Sequence, residues 1–314
     1  MKKIFFTATF FISVFVNAQD AVFSSHAWAL QNTNPAFAGS WACGRAEAGY
    51  RLQWPKLNGS YQTYVASYDQ YFHKAGGVGA EYIHDNAGRG MINTDRLQID
   101  YAPYFALHKD TTGKGRLIIQ PAFSVAYQNK TFDFSKITFG DMIDPRRGII
   151  YSTNDFQGKS SESILDLSAG LLIYSRWFAA GLAVYHLNEP KEGFVRSSQL
   201  PFRYTNFAAV RIAAGANFLF VPSVIFIKQQ DFESLSLDLL TSYKSFQFGI
   251  GYRNLDAMMF SAGYDLRNFM LRYSFDKSVN DLAGWSGGVH EIHFCYRFAE
   301  KKWEQSRTNL RWIE

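Results

Sequence analysis

Along most of this chain, apolar and aromatic residues alternate one for one with polar or small ones. That is the period of a strand whose two faces meet different surroundings. The pattern is clearest near the end. From Val289 to Phe298 one face carries His290, Ile292, Phe294, Tyr296 and Phe298, and the other Val289, Glu291, His293, Cys295 and Arg297. Upstream, Phe269, Leu271, Tyr273 and Phe275 oppose Met270, Arg272, Ser274 and Asp276, while Phe246, Phe248, Ile250 and Tyr252 oppose Gln247, Gly249, Gly251 and Arg253. Leu235, Leu237, Leu239, Thr241 and Tyr243 likewise oppose Ser234, Ser236, Asp238, Leu240 and Ser242.

Strands of this kind are expected near 41–55, 60–73, 76–86, 92–109, 115–129, 163–174, 177–188, 204–218, 219–228, 233–244, 245–254, 257–267, 269–277 and 287–298. The fold class this implies is all-β, a closed antiparallel transmembrane β-barrel of about fourteen strands spanning 41–298, its apolar face in lipid and its other face on a polar lumen. A dry sandwich core would hold unpaired Arg side chains only at high cost. A wet lumen removes that cost, so Arg45, Arg51, Arg211, Arg253, Arg272 and Arg297 are read as lumen charges, with Glu47 and Glu291 as their candidate partners. They either pair across the lumen and fill it or set an electrostatic lining. An even strand number places both termini on the periplasmic side and the long connections outside the cell. The longest connections, Lys130 to Glu162, Glu189 to Arg203 and Ser278 to Ser286, all follow odd-numbered strands. Tight turns at Ser175-Arg176, Lys244-Ser245 and Asn268 follow even ones.

The ends read differently. Lys2 and Lys3, the apolar stretch Ile4–Val16 and the small residues before Gln19 make 1–18 a cleavable signal peptide. Residues 19–40 are then a periplasmic lead-in outside the barrel, and 299–314 a polar periplasmic tail that either docks a partner or frays. Aromatics are 17% of the chain, yet mean hydropathy is slightly below zero and no apolar run reaches the length of a membrane-spanning helix. The formal charge of +5 falls to +3 without Lys2 and Lys3, which is no nucleic-acid footprint.

Catalytic and metal chemistry find little support, and no cofactor is expected. His290 and His293 are three apart on a strand and so point to opposite faces, where they cannot share a metal. His84, His186 and His290 have no local Ser and acid beside them and suit the aromatic girdle at the membrane interface. Asp141 and Asp144 are too few oxygens for calcium. Cys43 and Cys295 fall on the first and last strands, both inward and near the periplasmic rim. They are either a disulfide across the seam or two unpaired residues, and a one-residue shift of register decides against the bond. In the lead-in, Pro35 fixes its own φ and biases Asn34 toward extended backbone, while Gly39 allows a bend before Trp41. The segment with Asn34, Pro35, Ala36 and Gly39 is either a partner-docking surface or a turn that aims the first strand.

Several short motifs carry a family resemblance. They are Asn34-Pro35-Ala36-Phe37-Ala38-Gly39 just before the first strand, Phe139-Gly140-Asp141-Met142-Ile143-Asp144-Pro145, His186-Leu187-Asn188-Glu189-Pro190, Gly251-Tyr252-Arg253 and the closing run Gly288 to Phe298. Together they resemble the PorP/SprF family of Bacteroidetes outer-membrane proteins over nearly all of the mature chain. Ala27-Trp28-Ala29-Leu30-Gln31 stands where that family usually has an aromatic-rich opening with Gln-Tyr. The resemblance implies an outer-membrane barrel of the type IX secretion and gliding system. Such a barrel supports secretion or surface anchoring of large cargo, adhesins with a C-terminal sorting domain. The implied partners are type IX components, that cargo, a periplasmic peptidoglycan-associated protein and outer-membrane lipid. The alternative left by the residues is an outer-membrane channel for small solutes, which needs an open lumen where an anchor tolerates a plugged one.

Overall fold

A computed structural model describes residues 23–24, 30–41, 43–72, 75–108, 117–144, 146–154, 160–194, 198–215, 217–266, 268–281 and 283–298. The expected signal peptide, 1–18, and the tail, 299–314, lie outside the described residues. Fourteen antiparallel strands form one closed barrel: β1 (Arg45–Gln53), β2 (Tyr61–Phe72), β3 (Gly76–Ala87), β4 (Ile92–Ala102, resuming at Phe105–His108), β5 (Leu117–Phe132), β6 (Ser161–Tyr174) and β7 (Phe178–Tyr185) make one half. The other half is β8 (Arg203–Val210, resuming at Ile212–Ala214), β9 (Phe218–Gln229), β10 (Phe232–Tyr243), β11 (Phe246–Arg253), β12 (Ala257–Leu266), β13 (Phe269–Ser278) and β14 (Val289–Arg297). Each strand pairs with its neighbours in sequence, and β1 closes on β14 with Arg45 opposite Arg297 and Gln53 opposite Val289.

The two interruptions have one cause. Proline has no N–H to give a ladder, so it is tolerated only where the adjoining strand does not need one. Pro121 of β5 sits opposite the gap at Pro103–Tyr104, where β4 breaks. Pro222 of β9 sits opposite Val210, the residue just before the gap at Arg211 where β8 breaks.

The period of two sorts the side chains as expected. Phe246, Phe248, Ile250 and Tyr252 are 41–58% exposed on the outside, while Gln247 and Arg253 are 1% and 7% exposed inside. Ring pairs run around the rim where the barrel's ends meet: Tyr68–Phe298 at 5.9 Å, Phe269–Tyr296 at 4.9 Å, Phe246–Tyr264 at 5.0 Å and Phe218–Tyr243 at 4.6 Å. This is the aromatic girdle of a lipid-embedded barrel. We call this rim, with Arg45 and Arg297, proximal, and the opposite one, with Gln53 and Val289, distal. The long connections, 133–160, 186–202 and 279–288, all lie at the distal rim. The first of them was the natural candidate to fold inward. Instead most of it is exposed, carrying the small ribbon Ile143–Asp144 with Gly148–Ile149. The second folds in: Glu192 and Leu200 are buried, and Glu192 takes up Lys130 and Gln128 of β5.

The largest departure from expectation concerns the lead-in. Its described part, residues 23–24 and 30–40, lies inside the lumen, not outside the barrel. At one end Ala38 touches Gly77, the second residue of β3 at the proximal rim. At the other, the Ser24 N–H donates to Glu291 at 2.8 Å, and Glu291 stands opposite Arg51, two residues from the distal end of β1. The described residues of the segment therefore reach toward both rims of the barrel. The physical reason is that Phe23, Leu30, Phe37 and Trp41 are all at most 2% exposed there, an apolar surface that a periplasmic strand would leave in water.

Candidate functional site

The plug is locally a helical turn, Leu30–Thr33, followed by a 3-10 turn, Pro35–Phe37. Asn34 joins them in extended conformation (φ −160°, ψ 123°), as its place before Pro35 requires, and its Oδ1 accepts from the Ala36 N–H at 2.9 Å. The same side chain docks the turn on the wall. Its Nδ2 donates to the carbonyls of Leu171 on β6 and Leu182 on β7, both at 3.1 Å. This contact exists because the lumen-facing residues beside it are glycines. A Cβ on Gly170 would lie 2.1 Å from Asn34 Oδ1, and one on Gly181 2.9 Å from Asn34 Nδ2. A third glycine serves the turn's end: a Cβ on Gly77 would lie 1.9 Å from the Ala38 carbonyl oxygen. Gly39 turns the chain with φ +62°, a conformation open to glycine, and its N–H donates to Asp69 Oδ2 at 3.0 Å.

Lumen side chains satisfy the plug's backbone. Gln120 Nε2 donates to the Ala38 carbonyl at 2.8 Å, Tyr185 Oη to that of Asn32 at 2.9 Å, and Arg203 Nη2 to the same oxygen at 3.2 Å. Phe37 meets Phe207 edge-on at 5.5 Å. Asn34, Pro35 and Ala36 are thus buried in the barrel and Gly39 with them, so the expected docking surface is corrected: these residues grip the barrel's own wall.

The expected lumen charges are inside and mostly paired. Arg45 Nε meets Asp69 Oδ1 at 2.8 Å, with Glu47 at 3.7 Å. Arg51 Nε meets Glu291 Oε1 at 2.9 Å, and Arg253 meets Asp276 at 3.0 Å and Asp256 at 2.8 Å. Arg272 donates to Gln247 at 2.6 Å, and Arg297 pairs with Asp265. Arg211 is the exception in place: half-buried at the break in β8, its N–H on the Trp177 carbonyl at 2.7 Å. Glu47 and Glu291 do partner arginines, but His293 joins them, with Nδ1 3.2 Å from Glu47. Asp69 and Asp276 are partners that the Arg count alone overlooked, although both stand on the lumen period.

Of the histidines, His290 and His84 sit at the interface, against Tyr273 at 2.7 Å and Asp95 at 2.8 Å. His186 does not. It is fully buried beside Asp166, which also holds Arg96, because it ends β7 on the lumen side with φ +63°. In the distal loop, Asp141 and Asp144 hold their own segment: Asp144 accepts from the Arg146 and Arg147 N–H groups, both at 2.8 Å, and these donors keep its carboxyl below the usual value. Asp141 accepts from the Asn154 N–H at 2.7 Å.

At the seam Cys43 and Cys295 are both buried and form no disulfide. Cys295 stands opposite Glu47, four residues past Cys43. Strand rise puts on the order of 13 Å between those levels, beyond the roughly 7 Å a disulfide spans. Unfolded protein kept from reduction is therefore expected to take two alkylating groups by mass, with or without prior reductant. A mass that rises only after reductant would show a bond.

Comparison with known proteins gives the family. No curated protein matches the chain. Among solved structures it is similar to the P. putida toluene transporter TodX (10% identity, TM-score 0.48, covering 86% of this chain and 94% of that one) and the Ralstonia pickettii toluene transporter TbuX (10%, 0.47, 86% and 94%). It is also similar to the KdgM porin (8%, 0.38, 81% and 99%). Residues 15–296 match the type IX secretion system membrane proteins PorP/SprF. That match spans the plug and the fourteen strands but for the last residue of β14, and a closed antiparallel barrel with a lipid-facing belt is the form of an outer-membrane protein. The chain accordingly belongs to the PorP/SprF family, a family of secretion membrane proteins and not of enzymes.

Proposed function

We propose that this barrel supports the secretion or surface anchoring of large cargo, adhesins with a C-terminal sorting domain, by holding partners and not by passing solutes. One observation carries the choice: the chain's own plug occupies part of the lumen, its described residues meeting the wall at both rims and fixed by Asn34 to β6 and β7. A channel needs a continuous open path, and an anchor does not. In this reading the proximal rim and both termini face the periplasm, where a peptidoglycan-associated protein and other type IX components bind. The distal connections 133–160, 186–202 and 279–288 face outward toward cargo.

The test is affinity purification of the full-length protein from native outer membrane, with mass spectrometry of what accompanies it, alongside planar-bilayer recording of the same preparation. The expected result is co-purified type IX components and a secreted adhesin, with no stepwise conductance. Steady, high conductance with no specific companion would overturn the proposal in favour of a solute channel.

A further inference from the structure

The plug does not fill the lumen everywhere. Between it and the wall formed by β8 to β13, an empty space of about 660 Å3 remains, in part open to solvent. Its sides are apolar: Leu30 of the plug faces Val221, Ile225, Leu240 and Met259, all buried.

Polar groups interrupt this lining, Asp238 in the middle with Arg272, Asp276 and the serines Ser223, Ser261 and Ser274 around it. Asp238 of β10 stands between Ser223 of β9 and Gly251 of β11 in the strand register. The lumen-facing positions of β11 here are glycines, and a Cβ on Gly251 would lie 2.2 Å from Asp238 Oδ1. The carboxyl therefore lies over bare backbone. Its Oδ2 is buried and accepts no hydrogen bond. The nearby cations are held elsewhere, Arg253 by Asp276 and Asp256, and Arg272 on Gln247. A carboxyl oxygen withdrawn from water calls for a donor, and buried oxygens left without one are uncommon in folded proteins.

We propose that this cavity binds a small amphiphile, its apolar body against Val221, Ile225 and Leu240 and its hydrogen-bond-donating head, an amine or alcohol, on Asp238. Water is the competing occupant. A buried water takes two to four polar partners, and Asp238, Arg272, Asp276 and the serines supply them, so saturable binding of the amphiphile is what separates the two occupants. The site is independent of the anchoring function: it requires only the plug and the β8–β13 wall.

The test uses the full-length protein in lipid nanodiscs, titrated calorimetrically with hexylamine, hexanol and hexanoate. D238N and V221W are run beside it, since partition into lipid is common to all three and subtracts. Retained heat-modifiable migration in electrophoresis confirms that each variant is folded. Hexylamine and hexanol are expected to bind saturably and hexanoate not. D238N should weaken hexylamine by about tenfold, the effect of losing a charge-assisted hydrogen bond. V221W, which fills the space, should abolish the saturable component. Absence of any saturable component, meaning water only, overturns the site; hexanoate binding as well as hexylamine, or indifference to D238N, overturns the assignment of the head group.

Discussion

Removing residues 19–40 is expected to turn a silent barrel into a conducting one. No plug residue belongs to the fourteen-strand ladder, whose closure depends on β1 pairing with β14 over Arg45–Gln53. The barrel without its plug should therefore still form, at a cost. Burying a large apolar side chain is worth roughly 1.5–3 kcal/mol, and Phe23, Leu30 and Phe37 all give that up. Water takes over the donors and acceptors that the plug now meets on Gln120, Tyr185, Arg203 and Glu291. The measurement is single-channel recording in planar bilayers, with heat-modifiable migration as the check on folding. Resolved open-channel steps absent from the parent are expected. A folded deletion variant that stays silent would show that something else closes the lumen. A point change should act in the same direction. In G170L the new Cβ would displace Asn34, as its 2.1 Å approach to Oδ1 dictates, while the β6 ladder is untouched. N34A is milder. It removes a cap on Ala36 and two donors to the wall, together about 1–3 kcal/mol, and should yield brief openings where G170L gives long ones.

The sequence makes the wall legible and the plug illegible, for a physical reason. In Val289–Phe298 each residue's face follows from its neighbours, since the period of two is local; lipid and lumen sides there are as read. The position of the strand breaks was only partly local. β8 runs through Arg211 with unchanged composition and only Pro222, on the strand across, marks its break; β4 carries Pro103 in its own gap, with Pro121 opposite. In the plug, Asn34's extended backbone and Gly39's bend were both readable from Pro35 and glycine. Its location was not, because what receives it is scattered: Gly77, Gly170 and Gly181 lie on three strands, and their meaning appears only when closure brings them to one side of the lumen. The same holds for the charges. Arg51 and Glu291 were visible as inward residues 240 positions apart, but that they meet each other, and that Glu291 also receives Ser24, depends on the register of the last strand against the first.

That meeting point is where a single substitution should cost most. Glu291 is 1% exposed and accepts from Arg51 Nε at 2.9 Å, from the Ser24 N–H at 2.8 Å and from Ser274 Oγ at 3.4 Å, with His293 Nε2 at 3.7 Å. It therefore ties β1, β13, β14 and the plug together at the distal rim. E291A leaves Arg51 buried without its carboxylate, and breaking such a pair from one side typically costs about 3–5 kcal/mol. The solvent-exposed pair Lys228–Glu233, each side chain about half exposed, provides the internal comparison. K228A is expected to change stability by no more than about 1 kcal/mol, because water screens such pairs. Urea unfolding of the protein refolded into lipid vesicles, followed by tryptophan fluorescence, measures both. E291A should lower the midpoint several times more than K228A. The double variant R51M/E291M should recover most of the loss, since two apolar chains of similar length leave no charge behind. If E291A unfolds within about 1 kcal/mol of the parent, a loss expected only of exposed pairs, water reaches Arg51 freely. The distal end of the lumen would then be open, and the account of a barrel closed by its own N-terminal segment would fail there first.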